Sequence, residues 1–266
     1  MTQHASPALI AGLTTALIFT TPVVAQTPSV VASTMDTANR ADRAGTASPR
    51  AEAAALAADA LARAVRARAD RDALAMLVAA TELRRANLEA VSVPPPAPSE
   101  RRTLVEGLLA VQQQILERQL TVGSTSAAAA PSPPAAVPAP ETLFAEARTL
   151  AAGDRALIAR IDRTLRTQSR GLTERVPAFA RALQPGERFE WRVTATGGAS
   201  WTVSAVGDGA ADVDIGIFDE RGRPVCADQG VSHVATCTLT PRWTGAFTVL
   251  IANVGRAPTQ AVVVSN

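Results

Sequence analysis

No lysine and no tyrosine occur in this 266-residue chain, and histidine and cysteine occur twice each, as His4, His233, Cys226 and Cys237. Without lysine there is no Schiff-base nucleophile and no P-loop lysine to hold a phosphate. So few histidines and cysteines supply a Cys/His zinc cluster only if all four converge. Aromatics make up 3% of the chain, and none lies between residues 26 and 140. Phe189, Trp191, Trp201, Phe218, Trp243 and Phe247 crowd toward the C-terminus. Large rings carry much of a core's burial energy, so a well-packed domain is expected there. Charge of one sign is lacking too: 26 arginines against 24 acids leave a formal +2. That balance gives nucleic acid no basic surface to bind.

The same scarcity bears on catalysis. A serine triad would have to use His233, and no Gly-x-Ser-x-Gly elbow occurs. A pair of carboxylates working as in glycosidases needs only Asp and Glu, so a secreted hydrolase of that kind is the alternative reading, with Asp214 as its test residue. Sugar clefts rely on aromatic platforms, however, and a C-terminal core would consume most of the rings. The expectation is a protein that is not an enzyme.

What is present begins with an apolar run from Ala8 to Thr20, followed by Pro22 and by Val23-Val24-Ala25. A helix breaker before small residues at −3 and −1 fits a signal peptidase site. The run is shorter than the roughly 20 residues of a spanning helix. Residues 1–25 are therefore read as a signal peptide cleaved after Ala25, with a retained anchor as the alternative. The mature chain would be periplasmic or secreted, and His4 would be lost.

Residues 26–47 show no periodicity and are read as a disordered leader. Residues 48–126 are an Ala-rich helical region. Ser48 and Pro49 make an N-cap and first-turn pair, and Ala, Leu, Arg and Glu carry a helix from Ala51 to about Val91, with a break at 69–72 where Asp70 or Asp72 could cap. Leu56, Leu61, Val65, Leu74, Leu77, Val78 and Leu88 form its apolar stripe. After Pro94-Pro95-Pro96 a helix is expected from Ser99 to about Leu120. Residues 127–140 are an Ala/Pro linker. Residues 141–170 read as an amphipathic helix with Phe144, Ala147, Leu150, Leu157, Ile158, Ile161 and Leu165 on one face. Arg160, Arg163, Arg166 and Arg170 form a basic stripe opposite, a solvated face or a contact with anionic lipid headgroups. Alanine faces bury little area, so these helices imply a loose bundle, a homo-oligomer or a set that needs a partner.

Beyond Gly171 the period changes to alternation. Strands are expected at Phe189–Val193, Trp201–Ala205, Val213–Ile217, Pro224–Cys226, Ala235–Leu239, Phe247–Ile251 and Ala261–Val264, separated by Gly-rich turns. Seven short strands at this spacing read as an antiparallel β-sandwich. The fold class is thus α+β and multidomain, with an N-terminal Ala-rich helical region followed by a C-terminal jelly-roll-like sandwich.

Three stretches carry a family likeness: Leu183-Gln184-Pro185-Gly186-Glu187, the run Asp212-Val213-Asp214 through Asp219-Glu220-Arg221-Gly222, and Thr240-Pro241-Arg242-Trp243-Thr244-Gly245. In order and spacing, residues 177–266 resemble the bacterial pre-peptidase C-terminal domain family. The resemblance implies a secreted, non-catalytic module of the kind appended to exported hydrolases, although nothing upstream resembles a peptidase.

Cys226 and Cys237 form an even, close pair in a chain with an export signal, which reads as a disulfide around one hairpin. Asp212, Asp214 and Asp219 cluster along the sequence and are the candidate calcium ligands, calcium being the one cofactor considered. That ion takes six to eight oxygens, and the competing role is turn capping. The reading that results is an exported envelope protein with a binding or scaffolding role, its partner an envelope protein or cell-surface polymer. A calcium-stabilised structural module is a further alternative.

Overall fold

The structure, a computed structural model, describes residues 38–93, 135–167 and 174–266. The expected signal peptide, residues 26–37, the helix expected over 99–120, most of the expected Ala/Pro linker and Arg170 lie outside these residues. The order is a helical layer followed by two β-sheets. Helix α1 (Pro49–Asp70) starts where Ser48 Oγ accepts the Ala51 N–H, with Pro49 in the first turn. It stops at Arg71, whose left-handed backbone (φ 55°) turns its N–H back to the Ala67 carbonyl. Asp72 then accepts from the Leu74 and Ala75 N–H groups and starts α2 (Ala73–Ala86). Asn87, also left-handed, ends α2 and hands the chain to β1 (Leu88–Ala90).

The amphipathic helix expected over 141–170 is two helices in its described part, α3 (Pro140–Leu150) and α4 (Arg155–Arg166). Gly153 takes φ +95°, a conformation open to glycine, and Asp154 caps the new helix through the Leu157 N–H. Leu143, Phe144, Ala147 and Ile161 turn inward, whereas Leu165 is exposed.

Strands β2 (Val176–Leu183), β3 (Arg188–Ala195), β4 (Trp201–Val206), β5 (Val213–Phe218), β6 (Pro224–Asp228), β7 (Val234–Leu239), β8 (Gly245–Asn253) and β9 (Thr259–Ser265) follow. They form two facing sheets, β1-β2-β9-β4-β7 and β3-β8-β5-β6. Apart from β1, which adds to β2 in parallel, all pairs are antiparallel. From β2 onward successive strands alternate between the sheets, as in a jelly roll, except for the β5–β6 hairpin within the four-stranded sheet. All seven expected strands are present. β1 and β2 are additional.

Two cores result, and they explain the alanine. One fills the space between the sheets with Phe179, Phe189, Trp201, Val213, Ile215, Ile217, Phe247, Val249, Ile251 and Val263. The other joins the helices to the outer face of the five-stranded sheet through Val176, Ala178, Val206, Val262 and Val264. Helix α1 lies between α2 and this sheet, so Ala53, Ala57, Ala60, Ala64 and Ala67 are buried along one of its faces and Ala54, Ala58 and Ala62 along another. Small side chains let both neighbours approach. The helices thus pack on the sandwich of the same chain. Leu61 and Leu77 of the expected stripe are buried, while Leu74 and Val78 are exposed and Met76 and Leu83 take the inward positions.

Residues 38–47, expected within a structureless leader, run along the end of the sandwich. Ala38 is buried in the inter-sheet core, the Ala41 N–H donates to the Thr240 carbonyl, and Thr46 bridges Ala199. Hydrogen bonds to the sandwich replace the apolar periodicity by which a sequence reveals an element.

Candidate functional site

The two cysteines form a disulfide, with Cα atoms 5.9 Å apart. It does not close a hairpin. β6 pairs with β5 in one sheet and β7 with β4 in the other, so the bond staples the two sheets together along one side. Asp228 reinforces this seam, its carboxylate accepting the Thr236 N–H of β7 at 2.8 Å.

The three aspartates are not brought together. Asp212 precedes β5 and accepts the Ser232 N–H at 2.9 Å. Asp219 follows β5 at its far end, roughly 20 Å away at the usual rise per strand residue. Asp214 is buried on the outer face of the four-stranded sheet, in one cross-strand row with Ala252 and Arg188. Calcium ligands must all lie within about 2.6 Å of one ion, which this spacing forbids. Asp219 instead organises its own turn: Oδ1 accepts the Arg221 and Arg223 N–H groups, and Oδ2 accepts the Arg223 Nε at 2.9 Å and the Asn39 N–H at 3.2 Å. Burial alone would push this carboxyl up. Hydrogen bonds from Arg223, joined by those from Asn39 and Arg221, outweigh it and hold the pKa below the ordinary carboxylate value. Among the described residues no group of three or more His, Cys, Asp or Glu side chains converges.

Where the start of α1 meets the end of the sandwich there is a groove of about 490 Å³. Ser48, Pro49 and Arg50 line it from the helix, and Thr194, Thr196, Ser200 and Asn266 from the sandwich. Arg50 and Glu174, both half-exposed, face each other at 3.4 Å. The floor is fixed. Trp201 is buried with its indole N–H on Ser265 Oγ at 2.9 Å, and the Asn266 amide bonds the Thr202 N–H and the Ser200 carbonyl. The result is a polar concavity with hydroxyl, amide and paired ionic groups, suited to a hydroxyl- or amide-rich ligand. Beyond the Ser48–Pro49 helix start, no periodicity or motif marks these residues in sequence, because the two sides of the groove come together only after the helices dock.

Arg160, Arg163 and Arg166 are exposed on α4 opposite the buried Ile161, as the stripe predicts. Among the described residues no helix is long and apolar enough to cross a membrane. His233 is half-buried beside the β4–β5 turn, its carbonyl accepting the Gly207 N–H at 2.7 Å.

No family model matches the chain, and no curated protein matches it. Among solved structures, PliG of Aeromonas hydrophila, a periplasmic lysozyme inhibitor of g-type lysozyme, is similar at 9% identity and a TM-score of 0.26, over 34% of this chain and 86% of that one. A de novo designed double-stranded β-helix is similar at 12% identity and a TM-score of 0.22, over 34% of this chain and 97% of that one.

Proposed function

We propose that the chain is an exported, non-catalytic binding protein of the bacterial envelope, and that it takes an envelope polymer in the groove between α1 and the sandwich. The observation that carries this reading is the groove itself: polar groups of Ser48, Arg50, Thr194, Thr196 and Ser200, gathered where the helical layer meets the sandwich. The inter-sheet disulfide supports export, since such bonds persist in oxidising compartments. The likeness of residues 177–266 to the pre-peptidase C-terminal family supports a secreted, non-catalytic module.

Sedimentation of the mature chain with purified cell-wall sacculi tests the proposal. The unmodified protein should pellet with sacculi. Thr196→Trp, which fills the groove from an exposed position, should reduce the bound fraction at least fivefold with unchanged melting. Binding that survives this substitution would move the site elsewhere, and no binding would remove the polymer. A second reading, contact with anionic lipid, is favoured by the exposed Arg160, Arg163 and Arg166. Flotation with anionic vesicles, lost in the triple glutamine variant, is its test.

A further inference from the structure

We infer that the slot between the Asp219 turn and the Trp243 turn is a peptide-recognition site, specific for a tightly turned segment of the form small residue–Asn–Arg, and that residues 38–46 are its ligand held in cis. The slot is built around one side chain. Asn39 is 0% exposed. Its Oδ1 accepts the Trp243 N–H at 3.1 Å, and its Nδ2 donates to the Trp243 carbonyl at 3.1 Å and to Glu220 Oε2 at 3.3 Å. This two-point grip on one backbone unit is what an asparagine amide can satisfy and an aliphatic side chain cannot. The Asn39 N–H donates to the buried Asp219. Gly245 leaves the space: a Cβ there would stand 3.1 Å from Asn39 Nδ2.

The flanking residues extend the recognition. Ala38 closes the end of the inter-sheet core, and a tight turn from the Arg40 N–H to the Ala38 carbonyl presents Asn39 inward. Arg40 Nη1 donates to the Val225 carbonyl at 2.8 Å. The Gly45 N–H donates to Thr240 Oγ1 at 2.6 Å, where a Cβ would lie 2.7 Å from the Gly198 carbonyl oxygen. Apart from Ala38, the segment is held by hydrogen bonds rather than apolar burial. It belongs to neither sheet and makes a single β-bridge, at Thr46. Elements with few apolar contacts open at lower free energy than the core. The segment therefore leaves its slot while the sandwich stays folded, and the same sequence from a second copy fits the vacated place.

The test uses the full mature chain and a fluorescent peptide spanning residues 37–46. Asn39→Leu combined with Gly45→Val vacates the slot in cis. The peptide should bind this variant at least tenfold more tightly than the unmodified chain, whose slot is filled. A peptide carrying leucine for asparagine should bind neither. The inference is overturned if the peptide ignores a variant that still melts cooperatively, or if it binds both proteins equally. Should the variant not fold, native-state hydrogen exchange of the unmodified chain decides. The Ala41 and Gly45 amides should exchange at least tenfold faster than those of β8. Exchange of both sets only through global unfolding would refute a detachable ligand.

Discussion

Cutting the sandwich free, by expressing residues 174–266 alone, should produce a protein that does not hold its fold. The resemblance to a transferable C-terminal module suggests the opposite, so the outcome is informative. In the whole chain Val176, Val206, Val262 and Val264 are at most 9% exposed, covered by the helical layer on the outer face of the five-stranded sheet. Burying a valine contributes about 1.5–3 kcal/mol. Four of them sum to roughly 6–12 kcal/mol, an upper figure because the unfolded chain already hides some of this area. A domain's entire stability is typically about 5–15 kcal/mol. The excision also removes β1 and opens the edge of β2. The fragment should bind a hydrophobic dye, migrate as oligomers in size-exclusion chromatography and lack a cooperative urea transition. Threonine at 206, 262 and 264 should improve the fragment's solubility while destabilising the whole chain. A monomeric fragment whose urea stability lies within about 1 kcal/mol of the whole chain would refute the claim that helices and sandwich share one core.

Reducing the Cys226–Cys237 disulfide should cost about 3 kcal/mol on the chain-entropy estimate for so short a loop, lowering the melting temperature in reductant by roughly 6–12 °C. An unchanged melt would mean that the staple constrains nothing. Gly209→Ala should destabilise by about 1–3 kcal/mol, since φ is +92° and the new Cβ would stand 2.8 Å from Val65 Cγ1 of α1. Val65→Ala in the same chain should recover part of the loss in a urea-denaturation cycle. Asp219 has a lowered pKa when folded, so its contribution is present above the unfolded value of about 3.9 and is lost as pH falls through the folded one. Melting measured between pH 2 and 6 should decline below about pH 4, with a shallower decline in Asp219→Asn. Asp219→Ala at neutral pH should cost about 1–3 kcal/mol by removing the buried carboxylate that accepts the Asn39, Arg221 and Arg223 N–H groups.

Local signals wrote much of this molecule into its sequence. Ser48, Pro49 and Asp72 mark helix starts because their side chains or ring geometry act on backbone groups within three residues. Alternation, with Gly-rich turns between the segments, marks most of the seven expected strands because period two follows from the pleat alone. The cysteine pair is legible from number and spacing. The sequence also held one unread clue, the unbroken apolar run Ala261–Val264. A strand solvated on one face alternates, and an unbroken run signals that both faces are covered.

What only the tertiary structure decided is which surfaces meet. Alanine's small area says that a helix can approach something closely without naming the neighbour. That neighbour is the outer face of β2, β9 and β4. The aspartates look clustered along the chain, yet an extended strand separates Asp212 from Asp219 by its whole length, so sequence proximity gave no shared site. Conversely, Asn39 and Trp243 are 204 positions apart and share two hydrogen bonds. Periodicity reports a segment's own exposure. Docking depends on the complementarity of two segments, and that is set only when the chain has folded.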